Sequence, residues 1–354
     1  FHPDTEVLTR SGWKKIVDLS NGEEVAQAIP GREGSVTLEW VVPLEVFTKR
    51  HSSKKLIRLN NRGIDLRVTP DHRMLQWAPN RNSVHHVVMP KDFGKNHIFA
   101  GAGMLDSGEE SCETYLRLAI ATQADGSYTS NGAIRFGFTR KRKVNRLRML
   151  LDTVGVEYSE TFQHKNKVTA FYISSENAEK IKQFLTIDKM FSWELLKLDL
   201  RSRVAIVEEA SFWDSHIHSE GRRYTYSSAC EHNVDVLQAI ASTVGHKTTK
   251  KKGNSGWNLS VMDRSASRGQ DVYKTEYEYT GEVACLSVPS TFVLVRDQGI
   301  PVVTGQTTVF ASFYEIPCEL PFLLSVRLDV EREVGQSLAT AMQGSFPDMI
   351  AWMY

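Results

Sequence analysis

Over the first hundred positions, apolar and polar residues alternate in short runs separated by Gly-containing turns. Residues 1–16 alternate around an Arg10-Ser11-Gly12 turn, residues 36–42 form a further run, and residues 56–69 place Leu66 and Val68 on one face beyond a turn at Gly63. This period of two predicts short strands and no long helix. From about Asp106 the period becomes helical. Residues 113–124 form a mostly apolar helix with small Ala119 and Ala121, ending at Asp125-Gly126. A strand over 133–138 and an amphipathic helix over 144–155 follow. The same order then recurs, with an apolar helix over 204–214 ending in Asp214, a strand over 222–228 and an amphipathic helix over 234–245. The landmarks are 90 (234 minus 144), 90 (245 minus 155) and 89 (214 minus 125) residues apart, which implies an internal duplication of about 90 residues. After a polar Gly- and Ser-containing stretch over 250–270, β texture returns at 272–280. It continues in an alternating strand over 283–288 and a hairpin around Asp297-Gln298-Gly299.

Two sets of residues carry candidate chemistry. After the 56–69 strand stands Thr69-Pro70-Asp71-His72, where Pro70 pins a turn and a hydroxyl and an imidazole three residues apart can converge on one backbone group. A turn bearing a surface histidine fits those four residues equally well. After the hairpin stands Thr304-Gly305-Gln306-Thr307. The Gln306 amide can attack its own backbone carbonyl to form a cyclic imide, and Thr307 offers an oxygen nucleophile. An ordinary hairpin closing a domain would show the same pattern up to Thr304.

These residues resemble inteins, particularly those interrupting phage replication proteins. Residues 283–307 are similar to the pattern V-x-C-L-x-V, F-V-V-R, G-x-P-V-V-T-G-N before Cys, Ser or Thr, with Gln306 in place of Asn. The opening resembles C-[LF]-x-x-D-T-x-V through Phe1, Asp4, Thr5 and Val7, with the leading Cys expected one position before Phe1; neither Phe1 nor His2 can supply its thiol. Leu118 to Gly126, LAIATQADG, resembles the LAGLIDADG motif of homing endonucleases, and 212–215, FWDS, resembles the FWDG variant of intein endonucleases. The resemblance implies an all-β, horseshoe-like Hint splicing domain split by an α+β LAGLIDADG domain of duplicated αββαββα halves. The segments expected are 1–105 and 269–306 for the splicing domain, 106–268 for the endonuclease hanging from it as a separate body, and 307–354 for a downstream host (C-extein) fragment. It further implies that Thr69 and His72 polarise the upstream scissile amide and that Cys285 coordinates the two junctions. Thr307 would attack the thioester, Gln306 would cyclise, and Asp125 and Asp214 would together hold Mg²⁺. Splicing itself would need no cofactor. Gln closes a six-membered ring less readily than Asn closes its smaller one, and Gly305 and Ser290-Thr291-Phe292 lack the histidines many inteins use, so slow release downstream is expected.

At 354 residues, 41% apolar and 24% charged, the chain has the composition of a soluble protein of about two domains. No run approaches the ~18 apolar residues of a membrane span, and no leader is evident. Cys112, Cys230, Cys285 and Cys318 form no C-x-x-C pair, which argues against zinc and disulfides and fits a reducing cytoplasm. The start at Phe1 without Met suggests a processed or partial product. The net charge of +1 conceals a mildly basic middle, with 24 Lys and Arg against 20 Asp and Glu over 106–270. That excess is modest, so the double-stranded DNA that the endonuclease resemblance implies would have to bind on local patches: Arg135, Arg140, Lys141, Arg142, Lys143, Arg222, Arg223, Lys250, Lys251 and Lys252. The expected partners are that DNA and the flanking exteins in cis, on a monomer away from membranes. A DNA-binding module with a degenerate nuclease, or a Hint domain that cleaves without ligating, remain alternatives.

Overall fold

The computed structural model describes residues 1–51, 54–94, 96–218, 221–268 and 272–306. Thr307, Cys318 and the expected 307–354 fragment lie outside the described residues. Among the described residues the architecture is mostly β, with five helices: α1 (Glu113–Asp125), α2 (Lys141–Val154), α3 (Ser175–Lys182), α4 (Leu200–Ala210) and α5 (Glu231–Thr243). None of the described helices is long and apolar enough to cross a membrane.

The two ends of the described chain build one sheet. Strand Glu6–Thr9 pairs with Gly12–Lys15 and Val25–Pro30, and also with Val293–Asp297, almost 290 residues downstream. Val293–Asp297 in turn pairs with Ile300–Thr304 through a two-residue turn in which Gln298 and Gly299 have φ of 49° and 77°. Positive φ at both positions twists the turn in the direction that right-twisted strands require, so the expected hairpin forms with Gly where it is least strained. Strand Glu282–Ser287 pairs with Glu45–Arg50. Val283, Ala284, Cys285 and Leu286 along it are all buried, and Ala284 and Leu286 enter the apolar core.

The duplication appears in the order of elements. α2 and α5 begin 90 residues apart (231 minus 141). Sheet Ser127–Tyr128, Ile134–Phe138, Val168–Ile173, Tyr158–Gln163 matches sheet Ser215–Ile217, Arg223–Ser228, Trp257–Met262, Lys247–Lys252. α1 and α4 pack together, and both bury a face rich in small residues that includes Ala119, Ala121, Ala205 and Ala210. Gly155, at φ 66°, ends α2 in the left-handed conformation that favours glycine. The polar stretch expected over 250–270 instead holds strands, because Leu259 and Val261 turn inward while Lys251 and Lys252 stay at the surface.

Two apolar clusters stabilise the molecule. One joins Phe1, Val7, Ile57, Leu66, Val68, Leu286 and Val295, all from the β ends. The other runs without a break from Leu8, Leu38, Leu75 and Leu294 through Leu105 into all five helices. The described residues accordingly form one compact unit. This corrects the picture of an insert hanging as a separate body. The reason is physical: α5 packs on strands Gly12–Lys15 and Met104–Leu105, and Lys247–Lys252 packs on Ile300–Thr304. Buried Arg203 caps the carbonyls of Leu198, Leu105, Ser107 and Thr243 across the junction.

Candidate functional site

Strand Glu282–Ser287 holds both ends of the described chain. The Phe1 amino group donates to the Ala284 carbonyl at 2.8 Å, and the Ala284 N–H donates to the Phe1 carbonyl at 2.9 Å. Three residues along the same strand, Ser287 Oγ accepts from Gln306 Nε2 at 3.2 Å. At about 3.4 Å per residue, the two attachment points stand roughly 10 Å apart. The intervening Cys285 is buried and reduced.

The turn Thr69-Pro70-Asp71-His72 carries a fully buried histidine, which excludes the alternative of a surface one. The His72 ring lies edge-on to Phe1 with centroids 4.6 Å apart, and Nε2 shares a 3.0 Å hydrogen bond with Thr304 Oγ1. Burial first, with Arg73 adding to it, holds His72 well below the ordinary imidazole range, so the ring is neutral near pH 7. Its Nδ1 is buried with no hydrogen-bond partner among the described residues, as is Gln306 Oε1. Thr69 is buried beside the turn and its carbonyl accepts from the His72 N–H at 3.1 Å. Gly305 donates to the Arg73 carbonyl at 2.9 Å, and a Cβ at Gly305 would stand 2.6 Å from that oxygen. A side chain at position 305 therefore has no room unless the Arg73 backbone shifts.

The closing hairpin is fastened to α5 and to strand Lys247–Lys252. Arg296 donates to Glu6 on one side and to Asp235 and Gln238 of α5 on the other. Gly299 O accepts from Gln238 Nε2 at 3.0 Å and from the Lys250 N–H at 2.9 Å. Sequence reasoning missed Ser287, Thr304 and this link, since nothing local marks them.

The second candidate centre lies where α1 and α4 end. Lys143 Nζ bonds Asp125 and stands 3.9 Å from Asp214 Oδ1, so one ammonium reaches both expected acids. Lys189, which no motif marks, donates to the Gly126 carbonyl at 2.6 Å, and burial lowers its pKa. Burial, then the Asp125 charge, raises the Asp214 carboxyl. Two carboxylates and a backbone carbonyl are hard oxygen donors of the kind Mg²⁺ takes, and the ammonium sits where a cation would relieve their repulsion. The residues present fit that ion, and among the described residues no larger cluster of metal-ligating side chains occurs.

Of the basic residues expected on DNA, Arg135, Arg140, Lys141, Arg142, Arg222, Arg223, Lys251 and Lys252 are exposed. Lys143 and Lys250 are not free surface cations. Lys143 turns to the acid pair, and Lys250 bonds Glu231 at 2.9 Å and Asp235 at 2.6 Å. The nearby carboxylates draw both lysines inward.

No family model matches the chain. The ribonucleoside-diphosphate reductase subunit beta of Aquifex aeolicus is 26% identical over 217 residues, which cover 54% of this chain and 30% of that protein. The chain thus spans under a third of that relative's length. Solved structures similar to it include the AceL NrdHF class 3 split intein, at 12% identity, 87% and 97% coverage of the two chains and a TM-score of 0.34. They also include the N-terminal LAGLIDADG domain of DUF199/WhiA, at 12% identity, 42% and 75% coverage and 0.32. A third is I-DmoI in complex with DNA and Mn, at 9% identity, 42% and 89% coverage and 0.31.

Proposed function

We propose that this chain is an intein whose splicing domain, residues 1–105 and 269–306, is interrupted by a LAGLIDADG-type endonuclease over 106–268. The observation that carries this reading is the attachment of Phe1 and Gln306 to one strand three residues apart, beside a buried histidine. Protein splicing requires two distant junctions to meet, and this arrangement supplies the meeting point. Neutral His72, with a ring nitrogen free, exchanges a proton with the thiol-bearing residue joined to Phe1, and Thr69 and Cys285 line the same place. Downstream, Ser287 orients Gln306 Nε2. That nitrogen bonds to the Gln306 carbonyl carbon while the bond to the Thr307 nitrogen breaks, and an Nε2 proton passes to the departing amine. Thr307 is the expected acceptor of the upstream acyl group. The similarity to a ribonucleotide reductase subunit supports an enzyme of that class as the interrupted host.

The test is a chain carrying Cys and a short peptide before Phe1 and a peptide after Thr307, followed by mass spectrometry. Ligated flanking peptide is expected, and His72→Ala should abolish it. Cleavage of both flanks without ligation would replace splicing with autoprocessing.

In the endonuclease, Asp125 and Asp214 would hold Mg²⁺, which supplies activation of water and stabilisation of the leaving oxygen. α1 and α4 place the two carboxylates, and Lys143 and Lys189 balance their charge. The ammonium bridging the acids also favours a second reading, a binding module that no longer cuts. Nicking of double-stranded DNA with added divalent metal decides between them.

A further inference from the structure

We propose that the splicing segment itself forms part of the DNA-binding groove, through Arg62 in the turn between strands Lys55–Asn60 and Asp65–Val68. The inference rests on the proposed DNA-binding role of residues 106–268. A groove of about 1370 Å³ opens where that turn meets the sheet of the second repeat. Its floor is one face of three paired strands. Thr225, Ser260 and Thr249 form one rung, and Asn258 and Lys251 belong to the next. Alternation along the strands directs these polar side chains to one face while Tyr226, Leu259 and Val261 enter the core on the other. Thr249 is itself buried, and the Thr225 and Ser260 hydroxyls and the Asn258 amide on such a face are suited to base edges.

The rim is cationic. Arg62, Arg223, Lys251, Lys252 and Arg264 line it against the carboxylate of Asp65, which Arg58 already holds with bonds of 2.8 and 2.7 Å. Arg62 is exposed and forms no ion pair among the described residues. Its turn is fixed in place: Asn61 Oδ1 accepts from the Gly63 and Ile64 N–H groups at 2.7 and 3.0 Å. A Cβ at Gly63 would stand 2.8 Å from Lys247 Nζ, so the turn presses against the insert. The same sheet reaches the acid pair at its other end, where the Ser227 N–H donates to the Asp214 carbonyl at 2.9 Å. Arg223 lies four residues further along, about 14 Å at 3.4 Å per residue, which is roughly four base pairs of duplex. A duplex on this face would be gripped by the splicing segment beyond that distance from the acids, with a partner chemistry of phosphate backbone at Arg62 and base edges at the floor.

The test is fluorescence anisotropy of the full chain with a labelled 40-base-pair duplex of mixed sequence in EDTA, between 50 and 200 mM KCl. Arg62→Ala should weaken binding about 3- to 10-fold and lower the salt slope by about one, whereas Arg62→Lys should keep the slope. Arg81→Ala, on a turn outside the groove, should match wild type. Unchanged affinity and slope for Arg62→Ala, with clear loss for Arg223→Ala/Lys251→Ala, would overturn the inference and leave the DNA-binding reading standing. Absence of binding by wild type at 50 mM KCl would overturn both.

Discussion

Lys247 gives the sharpest quantitative expectation. Its ammonium is fully buried, 2.7 Å from Ser267 Oγ and 4.3 Å from the centre of the Phe99 ring, and the charge acting on it is Arg264, of its own sign. Burial, then Arg264, pushes its pKa from the ordinary 10.5 down to about 7. Between those two values the unfolded chain binds a proton that the folded chain does not, so this site makes the fold more stable as pH rises. At 1.36 kcal/mol per pKa unit, the gain between pH 7 and pH 9 is roughly 2 kcal/mol. Lys247→Met keeps the length of the side chain and removes the titration. Urea unfolding followed by tryptophan fluorescence should show wild type gaining about 2 kcal/mol on the variant across that interval. Below pH 7 the variant should be the more stable of the two, because the buried charge no longer has to be accommodated. Parallel pH dependence of the two proteins would refute the reasoning.

Asp235→Ala/Gln238→Ala leaves buried Arg296 with Glu6 alone and should cost about 2–4 kcal/mol. It should slow release at Gln306 more than thioester formation upstream, and a mass-resolved time course showing equal slowing would count against the hairpin link. Gly305→Ala forces a methyl group against the Arg73 carbonyl and should cost about 1–3 kcal/mol, with a matching loss of downstream cleavage on gels; wild-type stability and rate would show that the backbone yields there. Asp125→Asn and Asp214→Asn should each end metal-dependent nicking while DNA affinity in EDTA is kept, and nicking by either variant would remove that aspartate from the chemistry.

Much of the architecture was legible because it is local. The helix ending at Asp125, the exit glycine of α2 and the hairpin at Gln298-Gly299 are written in short periods and turn residues, whereas the second apolar helix, expected over 204–214, runs over Leu200–Ala210 and leaves Asp214 beyond its end. Strand Tyr158–Gln163 was not legible, since it is polar almost throughout and exists only by pairing with Val168–Ile173. Lys247–Lys252 reads as a charged loop, yet Lys247 is buried and its strand completes a sheet. At the site, Thr69, His72 and Gln306 followed from motif resemblance. The roles of Lys143 and Lys250 did not, because the carboxylates that capture them come from other elements. Lys189 and Ser287 carried no pattern, and their place is set by tertiary packing alone.

If the chain splices as proposed, the unbroken apolar cluster bears on its use as a portable ligation tag. Deleting 106–268 and joining the flanks with a short linker would uncover the face that Leu8, Leu38, Leu105 and Leu294 share with the helices, leaving a sticky apolar patch. It would also strip Arg296 of Asp235 and Gln238 and leave the turn at Gly299 without its anchors. A miniature version therefore calls for polar replacements on that face and a new partner for Arg296, so that shortening becomes a matter of redesigning a surface as well as removing a passenger.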